Sequence, residues 1–79
     1  MASAETEISA INYQIRRKQT ELEHLGKYKK AKTQRHLLGA NETQDLERQQ
    51  ENTRNDIEGL EKQIRVIQNR EVRRANLNV

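Results

Sequence analysis

The chain is expected to be all-α: an antiparallel two-helix coiled-coil hairpin that associates into a helical bundle. Three observations lead there. Each half of the chain carries a 3-4 repeat of isoleucine and leucine, the centre carries a helix stop followed by a helix start, and blocks of opposite charge match when the chain folds back on itself.

Composition narrows the choice of core. The chain has 79 residues, 32% hydrophobic content and 34% charged residues, with no Cys, Pro, Trp or Phe and only two Tyr. This is the material of one small domain spanning residues 1–79. Disulfide staples and thiolate metal sites are excluded, and a globular core needs more large apolar side chains than these. A narrow stripe between helices does not. The absence of proline removes the strongest helix breaker. High charge and low hydropathy also suit disorder, so periodicity has to decide.

The first repeat runs Ile8, Ile11, Ile15, Lys18, Leu22, Leu25, and the second Ile57, Leu60, Ile64, Ile67. With Ile8, Ile15, Leu22, Ile57 and Ile64 at heptad position a, Ile11, Leu25, Leu46, Leu60 and Ile67 fall at d. Disorder does not generate such a repeat, and a 3-4 apolar spacing makes a seam between helices. The ten apolar residues just named are the expected seam. Between residues 29 and 53 the same frame holds Lys29, Lys32, His36, Gly39, Thr43, Gln50 and Thr53, with only Leu46 apolar. The seam is therefore expected to be weak at the centre.

The centre also carries the break. Gly39 suits the left-handed residue that ends a helix. Asn41 suits an N-cap, and Gln44 three residues on completes a capping-box pattern. Glu42 and Asp45 follow at the positive end of the new helix, and Lys30, Lys32, Arg35 and His36 precede the break at the negative end of the old one. The spacing predicts helix 1 over about 3–38, a turn over 39–41, helix 2 over 42–75 and a frayed tail over 76–79. Residue i would then lie near residue 80 − i. Ile8 would face Val72, Ile11 would face Ile67, Ile15 would face Ile64, and Leu22 would face Leu60 and Ile57.

Charge supports the antiparallel fold-back. Residues 1–15 carry −2 from Glu5 and Glu7. Residues 16–38 carry +6 from eight basic residues against Glu21 and Glu23. Residues 39–61 carry −5 from seven acidic residues against Arg48 and Arg54, and residues 62–79 carry +4, giving the formal net +3. Folding back sets the +6 block on the −5 block, whereas a parallel in-register dimer stacks +6 on +6. Two unbroken helices from different chains would make the same contacts as a domain-swapped rod. Glycine at a d position leaves a hole in such a rod, which favours the hairpin.

No catalytic, metal or cofactor site is expected. His24 and His36 stand twelve positions apart without companion ligands, and no nucleophile–base set or phosphate-binding loop is present. The expected function is therefore a non-enzymatic protein–protein interaction module: structural, adaptor or chaperone-like. It would act through helix contacts with itself, as a dimer for preference, and with another protein. Ala10, Tyr13 and Val66 lie off the seam and form the candidate partner stripe. The alternative is a nucleic-acid-binding hairpin dimer that uses the C-terminal cluster Arg65, Arg70, Arg73 and Arg74. The basic run Lys27-Tyr28-Lys29-Lys30-Ala31-Lys32 lies opposite acidic residues and serves that role less well. The Asn41-Glu42-Thr43 sequon is read as chance. No apolar run approaches a membrane span, and Met1–Ala10 lacks the regions of a secretory signal. A cytoplasmic location without a membrane partner is expected.

Overall fold

The computed structural model describes residues 3–77, with side chains through residue 75. The chain is a helical hairpin of two elements, α1 (Ala4–Gln34) and α2 (Ala40–Leu77), lying antiparallel. The hairpin measures 63 × 17 × 16 Å with a radius of gyration of 18.2 Å. A globule of this length would have a radius of about 12 Å, so the molecule is a rod one helix pair thick.

Ser3 starts α1. It has extended backbone, its Oγ accepts from the Thr6 N–H at 3.2 Å, and its carbonyl accepts from the Glu7 N–H at 3.0 Å. Glu5 and Glu7 in the first turn complement the helix dipole.

The end of α1 corrects the expected boundary. The helix stops at Gln34, four residues before position 38, and the left-handed residue is His36, with φ 55°, whereas Gly39 has no positive φ. The His36 N–H donates to the Thr33 carbonyl at 3.1 Å, and the Leu37 N–H donates to the Lys32 carbonyl at 3.0 Å. This bond pair is the Schellman closure, with His36 where glycine usually sits. Histidine is among the non-glycine residues enriched in that conformation. The physical reason for the early stop lies in the repeat. Past Lys32 the seam frame offers only His36 and Gly39, so further helix would bury nothing. Stopping lets Leu38 become half-buried beside Leu46, while Leu37 stays 54% exposed.

The start of α2 is corrected as well. Gly39 caps it: its carbonyl accepts from the Thr43 N–H and from Thr43 Oγ1, both at 3.0 Å. Asn41 and Gln44 lie inside the first turns, so Asn41 is not the N-cap and the turn is 35–39 rather than 39–41. A glycine N-cap is nearly as good as Ser or Asp, and starting at Ala40 satisfies two more residues' backbone groups. The helix also continues through Leu77, past the expected end at residue 75. Positions 78–79 of the expected frayed tail lie outside the described residues.

Moving the turn moves the register. Lys18 pairs with Asp56 at 3.3 Å and Lys29 with Glu47 at 3.0 Å, while a Cβ on Gly26 would lie 3.8 Å from Gln50 Nε2. These three contacts centre the fold-back near 75 − i, about five residues from the expected 80 − i. Val72 therefore does not face Ile8; it is 58% exposed. α2 has 38 residues against 31 in α1, so its last two turns, about 10 Å at the helical rise, run past the start of α1.

Substitutions at the turn separate the two assignments. His36→Gly is expected to raise unfolding free energy by about 1 kcal/mol, because it removes a left-handed non-glycine residue. Gly39→Ser is expected to add a few tenths through a capping oxygen. Urea melts followed by circular dichroism read both. A loss of about 1 kcal/mol in Gly39→Ser would instead place the left-handed residue at 39.

Candidate interaction surface

The residues that are not fully exposed trace the line between the helices. On α1 they include Ile8, Ile11, Ile15, Lys18, Leu22, Leu25, Lys29 and Lys32; on α2 they are Thr43, Leu46, Gln50, Thr53, Ile57, Leu60, Ile64 and Ile67. Both sets step by three and four without a break. All ten residues expected in the seam are among them. At the 75 − i register they pair into layers. Ile8 with Ile67, Ile11 with Ile64 and Ile15 with Leu60 are wholly apolar. Lys18 with Ile57, Leu22 with Thr53, Leu25 with Gln50 and Lys29 with Leu46 are half polar, and Lys32 with Thr43, next to the turn, is polar throughout. The expected partners Ile15–Ile64 and Leu22–Ile57 are displaced by about one turn, and Leu22–Leu60 by about two. Ile11 and Ile67 still flank one groove.

The weak centre is thus closed by polar residues that behave as amphipathic fillers. Lysine stems cover the seam while their ammonium groups reach carboxylates at its edge. These pairs are partly exposed, at 37% and 55% for Lys18 and Asp56, so each adds little stability and mainly fixes orientation. Thr53 is buried at 7% exposure and donates its hydroxyl to the Gln49 carbonyl at 2.8 Å, which satisfies it within its own helix. The heptad count already contained Lys18, Lys29, Lys32, Thr43, Gln50 and Thr53; only their chemistry argued against a seam.

Few side chains are well buried. Ile15, Leu46, Ile57 and Ile67 keep 7–9% exposure, and among the described residues no large side chain is fully enclosed. One side of the hairpin carries open grooves. Near the open end, Ile11 and Ile67 lie at the bottom of a groove of about 500 Å3 that Glu7, Ala10, Gln63, Val66 and Arg70 also line. Toward the turn, Leu25 and Thr53 lie at the bottom of a second groove of about 600 Å3, also lined by Glu21, His24, Tyr28, Gln49 and Asn52. A third, with Tyr28, Leu38 and Leu46, continues to the turn. Apart from Leu38 at the turn, their helical residues occupy heptad positions c, d and g of both helices, so the grooves share one face.

That face holds two of the three residues of the candidate stripe. Ala10 and Val66 border the same groove, and Val66 is 59% exposed. Tyr13 does not border it: at position f it points away from the partner helix, 63% exposed, with the Arg17 guanidinium 6.0 Å from its ring centre. Tyr28, outside the stripe expected from the sequence, borders two of the grooves. Its g position carried the signal, but it was read as part of a basic run.

The basic residues disperse. In the lysine run, Lys27 pairs with Glu23 at 3.0 Å, Lys29 with Glu47, and Lys32 stands 5.5 Å from the Tyr28 ring centre. The hydrogen bond and charge of Lys27 hold the Glu23 carboxyl below its usual range. In the C-terminal cluster, Arg70 and Arg73 edge a smaller groove beside Val66 and Asn69, and Arg74 pairs with Glu71 at 3.6 Å. Arg65, at position b, lies on the opposite side. The four arginines do not converge on one strip. No group of three or more metal-binding side chains occurs among the described residues, and no described helix is long and apolar enough to cross a membrane.

Comparison with known proteins finds no family model, no curated relative and no solved structure that matches the chain.

Two substitutions test the layers. Ile67→Ala is expected to cost about 2–4 kcal/mol, whereas Val72→Ala should change stability by less than about 0.5 kcal/mol. Comparable losses at both positions in chemical denaturation would restore the 80 − i register. Thr53→Val should stabilise by about 1 kcal/mol, since the lost hydroxyl bond is local and a methyl enters the seam; a lower melting temperature would show that Thr53 holds a necessary polar contact.

Proposed function

We propose that the protein is a non-enzymatic interaction module whose antiparallel coiled-coil hairpin associates with itself and presents helix surfaces to other proteins. The observation that carries this reading is the mismatch between length and burial. Among the described residues of two long helices no large side chain is completely enclosed, while one side exposes apolar grooves along its length. Ordering each residue costs about 1–2 kcal/mol of backbone entropy, and a single half-polar seam offsets that cost poorly. Association through the grooved side supplies the missing burial. A structural, adaptor or chaperone-like role follows from such chemistry, and a cytoplasmic setting suits a surface this polar and free of cysteine. The nucleic-acid reading finds less support, because Arg65 stands across α2 from Arg70, Arg73 and Arg74, and Arg74 is paired with Glu71.

The test is solution mass by light scattering over a range of protein concentration and salt. A mass of two or more chains is expected, held in high salt because apolar burial drives it. Ile11→Asp and Ile64→Asp should abolish both the mass and the helicity. A helical monomer at all concentrations would overturn self-association. Nucleic-acid retention that weakens steeply with salt would favour the alternative.

A further inference from the structure

We infer that a second copy of this chain can take the place of α2 in the seam. Two chains, each a single unbroken helix, then lie antiparallel and make between them the layers that the hairpin makes within itself. The exchange uses the seam and not the grooves, so it goes beyond the association proposed above.

The register carries the inference. The seam frame does not end at the turn: it steps by three and four through Lys29, Lys32, His36, Gly39, Thr43 and Leu46. The residues that line the seam in α1 and in α2 keep that one phase on both sides of the break. A hairpin has no need of this, because a loop between two helices can carry the second frame at any phase. One straight helix through the turn does need it. The 75 − i relation is centred between Leu37 and Leu38. It therefore serves equally as a two-fold axis relating two unbroken antiparallel chains. Every layer from Ile8–Ile67 to Lys32–Thr43 recurs unchanged, with its partner on the other chain, and so do the Lys18–Asp56 and Lys29–Glu47 pairs. Carried into the turn, the relation adds one new layer, His36 against the other chain's Gly39. A glycine in a continuous seam leaves a hole, and here the residue facing it is an imidazole large enough to occupy it.

The turn holds few contacts that oppose the change. Two backbone bonds close it, from the His36 N–H to the Thr33 carbonyl at 3.1 Å and from the Leu37 N–H to the Lys32 carbonyl at 3.0 Å. Its left-handed residue is His36, at φ 55°, a conformation costly for an L-residue that an unbroken helix removes. Gly39 has no positive φ, and a Cβ there would meet nothing within 4 Å, so nothing in the turn requires glycine at 39. Leu37 is already exposed, and straightening residues 35–39 gives up only the half-buried position of Leu38. The hairpin closes within one chain and prevails at low concentration. The exchanged rod needs a second copy and grows with concentration. Exchange separates every layer, so it is reached by refolding.

The test labels Gln19 and Arg54, both exposed, with spin probes in one chain. Labelled chains are diluted into unlabelled ones, unfolded in urea and refolded together at low and at high concentration. Electron–electron distances, circular dichroism and light-scattering mass are read on each product. At low concentration the short hairpin distance is expected. At high concentration a helical two-chain fraction should appear in which that distance is replaced by about 50 Å, the rise over the helix between the labels. His36→Ala combined with Gly39→Ala favours helix at both turn positions and should raise this fraction on the order of tenfold. His36→Gly should lower it. The short distance kept in every multi-chain product, the double variant's included, overturns the exchange and leaves association through the grooves standing. A single-chain mass for the unaltered chain and the double variant at every concentration overturns both.

Discussion

The register of the hairpin depends on one backbone constraint, the left-handed residue at His36. Once the Thr33 and Lys32 carbonyls accept the N–H groups of His36 and Leu37, α1 cannot continue, and the next helix begins from Gly39. The centre of the fold-back then falls near residue 37, and every layer along the rod follows at 75 − i. The choice of layers determines which c and g positions flank each other, and so where Ala10 meets Val66 across a groove and where Glu7 stands beside Arg70. A turn three residues later would keep the same helices and place different residues on the grooved side.

Apolar strength is distributed against the cost of closure. Layers near the turn are close in sequence, so the chain connection already holds them together, and they can afford lysine, glutamine and threonine. Layers at the open end close the longest loops, where the entropy cost is greatest. There the seam is entirely isoleucine and leucine: Ile8, Ile11 and Ile15 against Ile67, Ile64 and Leu60. The polar half is held in orientation by Lys18–Asp56 and Lys29–Glu47, which join the basic block of α1 to the acidic block of α2. Such pairs discriminate between alignments more than they stabilise any one of them.

The fold class was legible because its signal is repeated. Ten apolar residues in one frame and four alternating charge blocks all point to an antiparallel helix pair, and an error at any single position leaves that reading intact. The turn was not legible because its signal is local and degenerate. Gly39 and Asn41 fit stop and cap positions by residue type, yet His36 takes the left-handed conformation and Gly39 the cap. What decides is the point at which further helix stops burying anything, a property of the seam frame past Lys32 rather than of the stop and cap residue types. The grooved face was legible in part. Ala10 and Val66 could be picked out as apolar residues off the seam. Tyr28 was hidden within a lysine run, and Tyr13 was included although its f position turns it away from α2.

The most direct measurement is electron–electron distance spectroscopy on doubly spin-labelled chains diluted into unlabelled protein. Gln19, Arg54 and Glu61 are exposed and lie on the same side of the rod. A 75 − i hairpin makes the Gln19–Arg54 distance shorter than the Gln19–Glu61 distance, with both surviving dilution because they lie within one chain. The reverse order, or loss of the short distance on dilution of chains folded at low concentration, would contradict the fold-back on which the layers, the grooves and the proposed association all rest.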